Sequence, residues 1–169
     1  MCFPAELLSG GVKRLSGSQI ITFEYMSLAY NIPLTSRLPD RREGFPETAL
    51  FPFFTDHKIY RNVRNQGWWT VLDTFSDGHR RLTINVLSSR FCKDCADSAE
   101  VYDWKMVFDE RKENVVEVAY NEISDSGNRA LVGFQTENTA TRWSSQEARV
   151  RSGMRLKFDT LGGGIQVLE

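Results

Sequence analysis

Past Pro52 the chain contains no proline: all five prolines (Pro4, Pro33, Pro39, Pro46 and Pro52) precede the remainder of its 169 residues. Proline lacks the N–H that a sheet ladder needs and is kept out of central strands, so the proline-free remainder is where sheet can run unbroken. Cysteine is also scarce. Cys2, Cys92 and Cys95 make an odd total of three, which excludes a complete disulfide framework and fits a reducing compartment. No apolar run approaches the ~20 residues that a bilayer-spanning helix requires. Positive charge is not in excess: Lys and Arg total 21 against 22 Asp and Glu, balanced on both sides of residue 52. That balance argues against nucleic acid and anionic membranes as partners. There is no Asn-x-Ser/Thr acceptor, and the N-terminus lacks the basic and apolar regions of a secretory signal. A cytoplasmic location is expected.

What is present reads as β structure. The 41% hydrophobic and 25% charged fractions are those of a globular chain. Residues 1–17, broken by Gly10-Gly11 and Ser16-Gly17-Ser18, read as a flexible end, and 18–169 as a single β domain. Ile20–Tyr30 is the first strand candidate. Residues 33–54, with four of the prolines and a series of phenylalanines, read as a long covering loop tacked down by Phe45, Leu50, Phe51, Phe53 and Phe54. Trp68–Phe75 and Arg81–Leu87, joined through Asp77-Gly78, predict a hairpin. Val101–Phe108 alternates, with Tyr102, Trp104, Met106 and Phe108 on one face, and Val115–Ile123 follows after a turn. Further strands are expected at Ala130–Thr136, at Glu147–Val150 paired with Met154–Phe158, and at Ile165–Leu168. Short strands at 8–12-residue spacing predict an all-β fold: a single antiparallel β-sandwich or a small up-and-down, calycin-like barrel, with an irregular proline-containing N-terminal segment.

Several groups carry potential chemistry. Gly67-Trp68-Trp69 at a strand start resembles the Gly-x-Trp with which lipocalin-type barrels open. The resemblance covers these three residues and implies a barrel floor closed by the Trp, with a late-strand arginine (Arg149, Arg151 or Arg155) stacked on it. Cys92-Lys93-Asp94-Cys95 has the spacing of half a zinc site or of a redox pair, but neither a second pair of ligands at suitable spacing nor a βαβ context accompanies it, and ordinary loop cysteines are the simpler reading. His57 follows Asp56 and His79 follows Asp77-Gly78, so a carboxylate stands near each as it would to orient a general base. Asp73 is in phase with Trp69, Val71 and Phe75, and Glu117 alternates with Val116 and Val118. Either could be an acid or base inside a barrel, or mark a solvent face. Arg149 and Arg151, with Arg155 and Lys157 on a paired strand, would set four cations on one sheet face near Trp143, fit for an anionic group or simply solvated.

The expectation assembled from these residues is a non-catalytic binding protein. It would take a small, largely apolar ligand between Trp68, Trp69, Tyr102, Trp104 and Tyr120, with Arg149 and Arg151 at the rim and no cofactor. Two alternatives stand beside it. One is a barrel-type isomerase or cyclase with Asp73, His57 and His79 as first suspects. The other is a structural or effector protein, a homodimer among its forms, that binds another protein through a sheet face or edge. A filled core combined with an exposed apolar patch favours the last.

Overall fold

The computed structural model describes residues 21–22, 38–39, 48–55, 57–58, 66–90 and 100–168. They form eleven strands: β1 (Ile21–Thr22), β2 (Ala49–Phe54), β3 (His57–Lys58), β4 (Gly67–Thr74), β5 (Arg80–Arg90), β6 (Val101–Asp109), β7 (Val115–Ile123), β8 (Leu131–Gln135), β9 (Ala140–Ser145), β10 (Arg155–Asp159) and β11 (Gly164–Leu168). No helix occurs among the described residues. All pairings are antiparallel.

Two sheets result. The larger has the order β11-β10-β7-β6-β5-β3, with β4 lying beside β5 as well, and the smaller has the order β1-β2-β8-β9. The sheets face each other as a β-sandwich and do not close into a barrel. Strands β4 to β7 make a meander. The chain then crosses to the small sheet for β8 and β9 and returns to lay β10 against β7.

Alternation decides which face is inside. Along β6, Tyr102, Trp104, Met106 and Phe108 are buried while Val101, Asp103, Lys105 and Val107 are half-buried. Val116, Val118 and Tyr120 of β7 and Leu156 and Phe158 of β10 continue the inner face. Leu50, Phe53, Val132 and Phe134 of the small sheet close over them in one cluster. The ring of Phe53 sits 5.0 Å from that of Tyr102 and 6.2 Å from that of Tyr120.

Three expectations are corrected here. Residues 49–54, expected as the end of a covering loop, are the fully buried strand β2, flanked by β1 and β8. A proline is tolerated inside it because the β2–β8 register shifts between Phe51 and Phe54, so the ladder asks nothing of the missing Pro52 N–H. Glu147–Val150 is not a strand; the strand that precedes β10 is β9 at 140–145, and β10 pairs with β7 and β11. The arginine ladder expected across residues 149–157 therefore does not form. Of the expected first strand at 20–30, Ile21 and Thr22 are β1, and the rest lies outside the described residues, as do residues 1–17.

Candidate functional site

Strand β4 differs from the other long strands among the described residues. Its sequence, Gly-Trp-Trp-Thr-Val-Leu-Asp-Thr, is apolar on both faces, a pattern expected of a strand covered on both sides. Yet Trp68 is 57% exposed, Leu72 54%, Trp69 47% and Val71 42%. The cause is the unequal width of the sheets. Trp68, Thr70 and Leu72 lie on the inner side of the large sheet, opposite Val86, Ile84 and Leu82 of β5. Val86 and Ile84 are buried, so the cover supplied by the small sheet ends at β5 and leaves β4 outside it.

Strand β4 is also an edge. Among the described residues it pairs with β5 alone, in eight consecutive positions without a bulge. The Phe75 N–H donates to the His79 carbonyl at 2.9 Å. Residues facing each other there exchange bonds across the hairpin, and the alternation of antiparallel ladders continues that phase along β4. Val71, Trp69 and Asp73 thus bond to β5, while the N–H and C=O groups of Trp68, Thr70, Leu72 and Thr74 point away from it. Edge strands are ordinarily blunted by lysine, proline, a bulge or shortness. Over its eight residues β4 has no lysine, proline or bulge, and its one charged side chain is Asp73 near the hairpin end.

The hairpin end is held firmly. Phe75 stacks on His79 with ring centres 4.1 Å apart, and Arg81 lies over Phe75 at 5.0 Å. Asp77 contacts His79 Nδ1 at 2.5 Å and also takes an ion pair from Arg111. The Asp77–His79 pair anticipated as a base and its orienting acid does form, but it serves to close a turn. Arg80 binds Glu110 through Nε at 2.9 Å.

On the outer side of the large sheet runs a polar groove of about 600 Å³, lined by Asp73, Arg81, Thr83, Lys105, Asp109, Glu117 and Arg155 among others. Its carboxylates are mostly engaged. Arg81 reaches Asp109 at 2.9 Å, and Glu117 receives Lys112 at 2.6 Å and Arg155 at 3.0 Å. Burial pushes the Asp109 carboxyl up, but the bonds from the Arg81 guanidinium and the Arg111 N–H outweigh it and leave its pKa below the usual value. Lys112, then Arg155, holds Glu117 below its usual value against the opposing effect of burial. Carboxyls held low carry no proton near neutrality and are not poised as general acids. Among the described residues, no group of three His, Cys, Asp or Glu side chains is placed to hold a metal ion.

The structure separates the residues expected to line one aromatic pocket. Trp68 and Trp69 are at the exposed edge, whereas Tyr102, Trp104 and Tyr120 are buried in the filled core. Arg149 and Arg151 are exposed in the chain between β9 and β10. Arg149 does stack on an indole, but on that of Trp143 at 4.8 Å, and its Nη1 donates to the Trp143 carbonyl at 2.9 Å. Asp73 is exposed on the groove side of β4, opposite Arg81. His57 lies in β3, and Cys92 and Cys95 fall outside the described residues. Sequence reading passed over Thr70 and Leu72. The available signal was a strand apolar on both faces immediately before an Asp-Gly turn, which marks a two-sided strand without saying whether anything covers it.

No protein-family model matches the chain, and no curated protein or solved structure matches it either. No helix among the described residues is long and apolar enough to cross a membrane.

Proposed function

We propose that this is a non-catalytic interaction protein that docks another polypeptide strand along β4. The observation that carries the reading is an unblunted eight-residue edge that exposes Trp68, Trp69, Val71 and Leu72 and directs backbone donors and acceptors outward. Main-chain bonds give such docking its affinity, and the side chains on alternate faces give it selectivity. The division of the aromatics supports this over a small apolar ligand, because Tyr102, Trp104 and Tyr120 already fill the sandwich interior. The engaged carboxylates of the outer groove, Asp109 and Glu117, support it over acid–base catalysis.

The test is selection from a library of random displayed peptides, followed by mapping with amide chemical shifts. Selected peptides are expected to be extended, with alternating apolar positions. Their shift changes should centre on residues 68–74 and disappear in Thr70→Pro. Ligands that instead perturb the outer groove around Lys105 and Glu117 would overturn the reading.

A further inference from the structure

The β4 edge is complementary to itself, and we propose that its occupant is β4 of a second copy of this chain, antiparallel and centred on Thr70; the inference rests on the docking reading above. When two copies extend one sheet about a two-fold axis perpendicular to it, directly opposite residues must point to the same side. Only registers centred on a residue satisfy this. The outward backbone groups of β4 belong to Trp68, Thr70 and Leu72, fixed by the phase of the Phe75–His79 bond. With Thr70 on the axis, these three residues exchange main-chain bonds with Leu72, Thr70 and Trp68 of the other copy.

The side chains then match on both faces. On the inner side each Trp68 meets a Leu72, and on the outer side each Trp69 meets a Val71. All four large apolar side chains that β4 leaves in water acquire a cross-strand partner. The only ionisable side chain of the strand, Asp73, falls opposite Gly67. Nothing lies within 4 Å of a Cβ built at Gly67, so the carboxylate keeps access to water and faces no like charge. Centring on Val71 instead would set Trp69 against Asp73 and press a carboxylate on an indole, which costs desolvation without an ion-pair partner. Charge and the matching of apolar groups therefore favour the Thr70-centred register over the Val71-centred one.

Sedimentation velocity over the micromolar range tests the proposal. The native chain is expected to show a monomer–dimer equilibrium, and Thr70→Pro to weaken it by about tenfold or more. That N–H points away from β5, so the variant should keep the native far-ultraviolet dichroism. Two further variants read the register. A copy carrying Trp69→Lys and Val71→Lys, and a copy carrying Trp69→Glu and Val71→Glu, should each be monomeric alone and dimerise when mixed, because position 69 faces position 71. A monomeric native chain, or a dimer indifferent to Thr70→Pro, would overturn the inference. Amide hydrogen exchange at Trp68, Thr70 and Leu72 separates that failure from failure of the docking reading. Rapid exchange in a monomer leaves an open edge for another partner, whereas protection in a monomer means that the chain caps its own edge and both readings fall.

Discussion

The hydroxyl of Tyr120 donates a 2.6 Å hydrogen bond to the carbonyl of Pro52, joining residues 68 positions apart. Tyr120 is on β7 of the large sheet and Pro52 on β2 of the small one. The bond forms where proline breaks the β2–β8 register, so a carbonyl released from the ladder is met by the one polar atom of a buried phenol. It ties the proline-containing lead to the proline-free sheet.

Replacing Tyr120 by Phe leaves that buried carbonyl without its partner and should cost about 1–3 kcal/mol in urea unfolding. Burial also raises the Tyr120 pKa well above its ordinary value. A raised pKa means that the unfolded chain ionises first, so this contribution is complete below about pH 10 and is lost as pH climbs toward the folded pKa. Native protein should lose more stability on the alkaline side than Tyr120→Phe does. Parallel alkaline limbs would refute the assignment.

The acid limb has a different origin. Asp109 and Glu117 are held below their usual pKa, Asp109 by Arg81 and Arg111 against burial and Glu117 first by Lys112. A depressed pKa gives stability that is present above the unfolded value and lost as pH falls through the folded one. Unfolding free energy should therefore decline below about pH 4. Glu117→Gln should decline less steeply than the native chain over the same range. An unchanged acid slope in the variant would remove Glu117 from the explanation.

Trp104 offers a test of what its indole contributes. It is wholly buried, and its Nε1 has no hydrogen-bond partner among the described residues. Trp104→Ala should cost about 3–5 kcal/mol through the lost burial and the cavity left behind. Trp104→Phe keeps an aromatic ring and gives up no hydrogen bond, so about 1–2 kcal/mol is expected. A cost for Phe as large as that for Ala would mean that the indole N–H is in fact engaged.

Gly133 lies in β8 where the chain of β9 passes very close. A Cβ there would stand 2.5 Å from the Thr141 carbonyl oxygen and 2.9 Å from Leu38 Cδ1. The first neighbour is backbone and cannot swing aside. Gly133→Ala should thus destabilise by about 1–3 kcal/mol, as overpacking does, and a thermal midpoint equal to that of the native chain would contradict it.

Much of the large sheet was legible in the residues. Alternation placed Tyr102, Trp104, Met106 and Phe108 on one face of β6, and Asp77-Gly78 marked the β4–β5 turn. Phe53 packs against Tyr102 and Tyr120 in the core, but Pro52 makes the segment that carries it read as loop. A shift in ladder register, which no local pattern announces, makes room for that proline. Residues 140–145 give no strand signal, because Ala-Thr-Arg-Trp-Ser-Ser has too few apolar positions to show a period of two. Their strand character comes from pairing with β8.

By itself the sequence determined the class of fold, since alternation, Asp-Gly turns and the absence of proline act between near neighbours along the chain. It also determined that β4 is apolar on both faces. Tertiary structure alone decided that both faces are exposed, because exposure depends on how far the opposite sheet extends and not on the strand. It likewise decided that Trp68 and Trp69 part from Tyr102, Trp104 and Tyr120, and that Arg149 finds Trp143. Each of these follows from which strands lie side by side, a contest among distant segments that is settled by the packing of the whole sandwich.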